Sequence, residues 1–152
     1  MKSVSTHSLA CCLAVMLGLL APASQAHHSF AMYDQSELRT LTGRLTRYIP
    51  GANHAQMIFE RLDDSGATVT DDQGVAVQWG VEMGPATRIA RLGVTPDNFP
   101  IGSIITVQLN PLRNGKTFGA MPNGAPLVNC GTTMPDGGCN ENTGTVYLSA
   151  NN

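Results

Sequence analysis

Hydrophobic and polar positions change period twice along the chain. From Leu38 to Tyr48, Leu41, Gly43 and Leu45 share one face and Thr42, Arg44 and Thr46 the other, the two-residue period of a half-buried strand. Gly43 packs nothing there and is expected to mark a bulge or a bend. Pro50-Gly51-Ala52-Asn53 interrupts the pattern. A second strand is predicted over His54–Leu62, with Met57 and Phe59 opposite Gln56, Ile58 and Glu60. Asp63-Asp64-Ser65-Gly66 signals a turn, and polar Asp71-Asp72-Gln73-Gly74 extends it into a long exposed tip. The third strand, Val75–Met83, alternates most strictly. Val75, Val77, Trp79, Val81 and Met83 share one face and are expected at the centre of the core.

The period then shifts. Gly84-Pro85 opens a short helix, Pro85–Leu92, since proline is tolerated in a first turn. Ile89 and Leu92 would face inward, Arg88 and Arg91 water, and Gly93 ends the helix. Thr95-Pro96-Asp97 reads as a second helix start or a tight turn. A fourth strand follows over Ser103–Leu109, ended by Asn110-Pro111, and Asn114-Gly115 is a hairpin-type turn. Lys116–Asn142 is rich in Gly, Pro and Asn and reads as a long ordered loop, with one short strand near Leu127-Val128. Thr143–Ala150, with apolar Val146 and Leu148, is the last strand.

This order predicts a mainly β protein: a small five-stranded OB-like Greek-key barrel with one short helix between strands 3 and 4. A lipocalin-like barrel needs eight strands, more than the chain can supply. An immunoglobulin-like sandwich needs about seven and does not expect the helix.

The start of the chain adds a compartment. Lys2 is followed by an apolar run, Leu9–Leu20, too short to span a bilayer, which takes about 20 residues. Ala21-Pro22-Ala23-Ser24-Gln25-Ala26 supplies small residues for cleavage. This is the plan of a signal peptide over 1–26, cut after Ala26, with a rival cut after Ala23. The expected location is periplasmic or secreted. Cutting after Ala26 leaves residues 27–152 as one β-barrel domain, with no later stretch able to span a membrane as a helix. Loss of Lys2 leaves eight basic residues against eleven acidic ones, and no basic run, so nucleic acid is not expected as a partner.

Four cysteines occur, and Cys11 and Cys12 would leave with the leader. Cys130 and Cys139 remain, bounding Gly131–Gly138. In an oxidising compartment an even pair reads first as a disulfide stapling the loop near 130–139. Metal ligation and a catalytic thiol pair are the alternatives, and the spacing is far from Cys-x-x-Cys.

Four stretches carry a resemblance. They are His27-His28-Ser29-Phe30 followed by Met32-Tyr33-Asp34; Asn53-His54; Trp79-Gly80-Val81-Glu82-Met83-Gly84; and Gly102 through Asn110-Pro111-Leu112-Arg113-Asn114-Gly115. Together they resemble a functionally uncharacterised family of small exported bacterial proteins whose mature chain begins His-His-Ser-Phe. The family's usual Asn-Pro-His is here Asn53-His54 after Pro50-Gly51-Ala52, and Gln56-Met57 stands where an aromatic often follows. The cysteine loop looks like an addition to the common pattern. The resemblance implies export and a β-rich domain, and no established activity.

Chemistry centres on the three histidines beyond the leader, His27, His28 and His54. If His27 is the first residue, its α-amine and imidazole chelate one ion and His54 adds a third nitrogen. Such a nitrogen-rich set ranks copper above zinc. A second geometry uses the α-amine, a deprotonated backbone nitrogen and His28. Met32 and Met57 are soft donors for Cu(I), and Glu82 is an oxygen at the end of its strand. The plainer reading makes the terminal histidines exposed polar residues, His54 a turn cap, Glu82 a partner of Arg88 or Arg91, and Trp79 core.

No Gly-x-Ser-x-Gly, His-Glu-x-x-His or phosphate loop occurs, Ser29 beside His28 is not a triad, and no nucleotide cofactor is implied. The sequence therefore points to a non-enzymatic barrel with a copper site at its mature N-terminus. An oxidative copper enzyme of the kind that also uses an N-terminal histidine fits less well, because few aromatics are present to build its flat or grooved substrate surface. The competing readings are a periplasmic binding or accessory module that takes a protein or small ligand on the barrel face without metal, and a purely structural domain.

Overall fold

The computed structural model describes residues 27–51 and 53–148. The expected signal peptide and the end of the last expected strand, 149–150, lie outside the described residues. A short 3-10 segment, His27–Met32, leads in. It is followed by β1 (Arg39–Pro50), β2 (Ala55–Leu62), β3 (Gln78–Glu82), α1 (Ala86–Arg91), β4 (Ile104–Pro111), β5 (Phe118–Ala120), β6 (Pro126–Asn129) and β7 (Thr145–Leu148). One sheet runs β1-β2-β3-β5-β4-β6-β7, and β1 also pairs with β4. That extra pairing closes five strands, β1-β2-β3-β5-β4, into a barrel. β3 and β5 run parallel and the other pairs antiparallel. The expected class is observed: mainly β, a closed five-stranded barrel, and a single short helix between strands 3 and 4.

The alternation fills the barrel as the sequence requires. Leu41, Leu45, Ala55, Met57, Phe59, Trp79, Val81, Met83, Ile105, Val107 and Leu109 enter one buried cluster. Ile89, Val94 and Phe99, from α1 and the turns after it, close one end of that cluster. Trp79 is core, as its place in the alternation demands, and the Arg39 guanidinium lies 5.6 Å from its ring centroid. Met57 is fully buried, so its thioether belongs to the interior and not to a surface metal site.

Four details depart from the pattern reading. The fifth barrel strand is not the last apolar stretch. It is Phe118–Ala120, three residues inside the segment read as loop, and β7 pairs with β6 outside the barrel. Val75 is 58% exposed, because β3 starts only at Gln78 and the preceding residues form a small meander. Its two turns are alike: the Asp63 carboxylate accepts from the amides of Ser65 and Ala67, and that of Asp71 from Gln73 and Val75. The polar tip is therefore folded ribbon. Leu92 is the C-cap of α1 and is exposed, leaving Ile89 as the buried residue of the helix. Finally, Gly43 pairs regularly with Arg61, and the β-bulge lies between Leu45 and Arg47. What Gly43 supplies is room, since a Cβ there would sit 2.2 Å from the Phe59 ring and 2.6 Å from the Glu60 carbonyl oxygen.

β4 is buried on both faces along Ile104–Val107, which alternation alone does not foretell. Its outer face is covered by the loop that the bonded pair Cys130–Cys139 closes. Ile104 packs there with Leu62, Val128 and Cys139, and the Thr106 hydroxyl donates to the Cys139 carbonyl at 2.7 Å. The disulfide is the reading of these cysteines that the geometry supports.

Candidate functional site

His54 stands immediately before β2 and faces the end of β3. The Ala55 amide donates to Gly84 O, and the Met83 amide to Ala55 O, which ties the two strand ends together. Gln56 pairs with Glu82 in the register, so His54, two residues back, shares that outer face. His54 Nδ1 lies 2.9 Å from the Met83 carbonyl and 3.6 Å from Glu82 Oε1. A carbonyl only accepts, so Nδ1 carries a proton, and among the described residues Nε2 has no hydrogen-bond partner. Anchoring one ring nitrogen on a carbonyl, with a carboxylate nearby, is how a histidine is oriented for metal binding. The partner of Glu82 is thus His54, not Arg88 or Arg91, both of which are exposed.

The lead-in segment is strapped across the same face. Tyr33 bridges to Leu112, the Asp34 amide donates to Pro111 O at 2.7 Å, and the Arg113 amide to Met32 O at 2.9 Å. Arg113 and Asp34 add an ion pair at 3.6 Å. The hydroxyl and amide of Ser36, with a smaller contribution from Arg113, hold the Asp34 carboxyl below its usual range. Tyr33 is 3% exposed. Burial, the nearby Glu82 charge and hydrogen bonding toward Glu82 push its phenol up to about 12, so it stays protonated beside the carboxylate. Its ring is tilted against Phe30, with centroids 6.5 Å apart.

The consequence is a shared recess. Phe30, His54, Glu82, Met83, Met121 and Asn123 are among the residues lining one narrow cavity. Glu82 and Ala120 sit side by side across the β3–β5 seam beneath it. The backbone of His27 and His28 belongs to the 3-10 segment that ends beside this recess. Their side chains lie outside the described part of the chain. Phe30 and His27 are three residues apart, roughly 6 Å along a 3-10 turn. Among the described residues, no three His, Cys, Asp or Glu side chains group as a metal cluster.

Of the methionines considered as soft donors, Met57 is interior and Met32 is exposed, whereas Met121 lines the recess. Met121 had no signal, because it falls in an aperiodic Gly- and Pro-rich stretch. Tyr33 was visible only as part of a motif.

A family described as one of unknown function (DUF6152) matches residues 15–121. The match takes in the lead-in, His54 and all five barrel strands, and it ends at Met121, before β6, β7 and the disulfide. No curated protein and no solved structure matches the chain. Among the described residues, no helix is long and apolar enough to cross a membrane.

Proposed function

The chain belongs to this family of unknown function, DUF6152, and from its own residues we propose that it is an exported, non-enzymatic barrel that holds copper at its mature N-terminus. In this reading cleavage after Ala26 frees the His27 amine. That amine and the His27 ring supply two nitrogens, His54 Nε2 supplies a third, and His28 provides the alternative chelate through the backbone. Copper is preferred because the donor set is nitrogen-rich.

One observation carries the reading: the strap of Tyr33, Asp34 and Arg113 sets Phe30, three residues from His27, against the same recess as His54. The orientation of His54 supports it, since Nε2, the nitrogen without a hydrogen-bond partner among the described residues, is the one a metal needs. The test is a Cu(II) competition titration on protein beginning at His27, beside a form with one extra N-terminal alanine and a His54→Ala variant. Binding should weaken by more than about tenfold in both altered forms. Equal or negligible binding in all three overturns the proposal.

A further inference from the structure

Beside the histidine recess lies a second and larger cavity, about 500 Å³, between the strap, Asn110 of β4 and the turn after β5. Its volume is that of a small-molecule site. Among the described residues nine line it, and none of these is charged. Of the charges nearby, Asp34 pairs with Arg113 and Glu37 with Arg39 at 2.6 Å, and the Glu82 carboxylate lies outside the lining, 3.6 Å from His54 Nδ1. An ion entering would lose hydration with nothing to replace it.

The apolar part of the wall is Phe30, Leu38 and Met121, and the polar part is the amides of Gln35, Asn110 and Asn123. Phe30 and Leu38 are 37% and 55% exposed, large apolar groups left in water at the rim of a concave surface. Asn110 is not free to turn. Its Nδ2 donates to the Glu37 carbonyl at 2.7 Å, which leaves Oδ1 as an oriented acceptor. An oriented acceptor calls for a ligand that donates.

We infer that this cavity binds an uncharged, ring-bearing small molecule with a hydroxyl donor, its ring against Phe30 and Leu38. The site requires neither metal nor a free N-terminus. It therefore stands or falls separately from the copper reading.

The probe is 4-methylphenol, titrated in the presence of a chelator into protein purified after expression of the full 152-residue sequence, with methyl and amide NMR shifts as readout. The Leu38 and Met121 methyls and the Asn110 amide should shift together and saturate in the millimolar range. Benzoate and glucose, which test charge and the lack of an apolar ring, should leave them unmoved. Leu38→Asp, at an exposed position that does not threaten folding, should weaken binding at least about tenfold by placing a charge on the apolar rim. Leu92→Asp, exposed on α1 and away from the cavity lining, should not change it. Absent or non-saturating shifts, equal shifts with benzoate or glucose, or indifference to Leu38→Asp overturn the inference.

Discussion

Tyr33 links the lead-in to the barrel through a buried phenol, and that choice has a pH signature. Its folded pKa of about 12 lies above the ordinary value of 10.0. The fold therefore favours the protonated phenol. Its contribution is complete below pH 10 and is lost as pH rises toward about 12. Urea midpoints followed across that window should show stability falling by up to about 2 kcal/mol. Tyr33→Phe should flatten the fall without abolishing it. Tyr48 is also shifted upward by burial and donates to Val94 O at 3.0 Å. An unchanged slope in Tyr33→Phe would show that the phenol is not held by Glu82. Gly43 makes a second residue-scale case. Its Cβ-less backbone lets Phe59 lie against it, so Gly43→Ala should lower the urea midpoint by the equivalent of about 2 kcal/mol. The inward residues of β1, β2 and most of β3 are legible in the sequence because burial repeats every second position there. Gly43 reads as a bulge or a bend, because a close approach across strands has no local pattern.

At the level of elements, the barrel's seam explains why the fifth strand was hidden. β5 has three residues and closes against β3 and β4 where glycines allow contact. A Cβ on Gly80 would lie 2.3 Å from the Phe118 ring, and one on Gly119 would lie 2.5 Å from Leu109 Cδ1. Strands that pack by lacking side chains carry no apolar alternation, whereas β7 does and reads from sequence as the fifth strand. Gly119→Val should therefore unfold the barrel or drop its thermal midpoint sharply. Because β5 is so short, it covers only Asn110 and Pro111 on its side of β4. The free half, Ile105–Val107, is taken by β6, which the disulfide loop follows. The cysteine pair was legible from count and compartment. Its burden was not, since nothing local says that Cys139 lies over Ile104. Cys130→Ser with Cys139→Ser should cost about 2–3 kcal/mol through loop entropy, read by denaturant unfolding.

For the whole molecule, element order decided the architecture and tertiary proximity decided the site. Three strands, a helix and a fourth strand read as a small closed barrel, and β1 pairing with β4 and β5 lying parallel to β3 make the closure. That His54, Glu82, Tyr33 and Phe30 meet on one face depends on a strap held by backbone bonds to Pro111 and Arg113, which sequence spacing cannot show. Two adjacent recesses on that face then make separable demands. A ligand bound only by the folded state stabilises by RT ln(1 + [L]/Kd), about 2.7 kcal/mol at a hundredfold excess over Kd. Copper should thus raise the thermal midpoint by several degrees when the chain begins at His27, and fail to do so when an alanine precedes it. 4-Methylphenol should raise the midpoint of both forms alike. A copper shift that survives the added alanine would move the metal away from the terminal amine. A phenol shift that depends on the terminus would mean that the two recesses are one site.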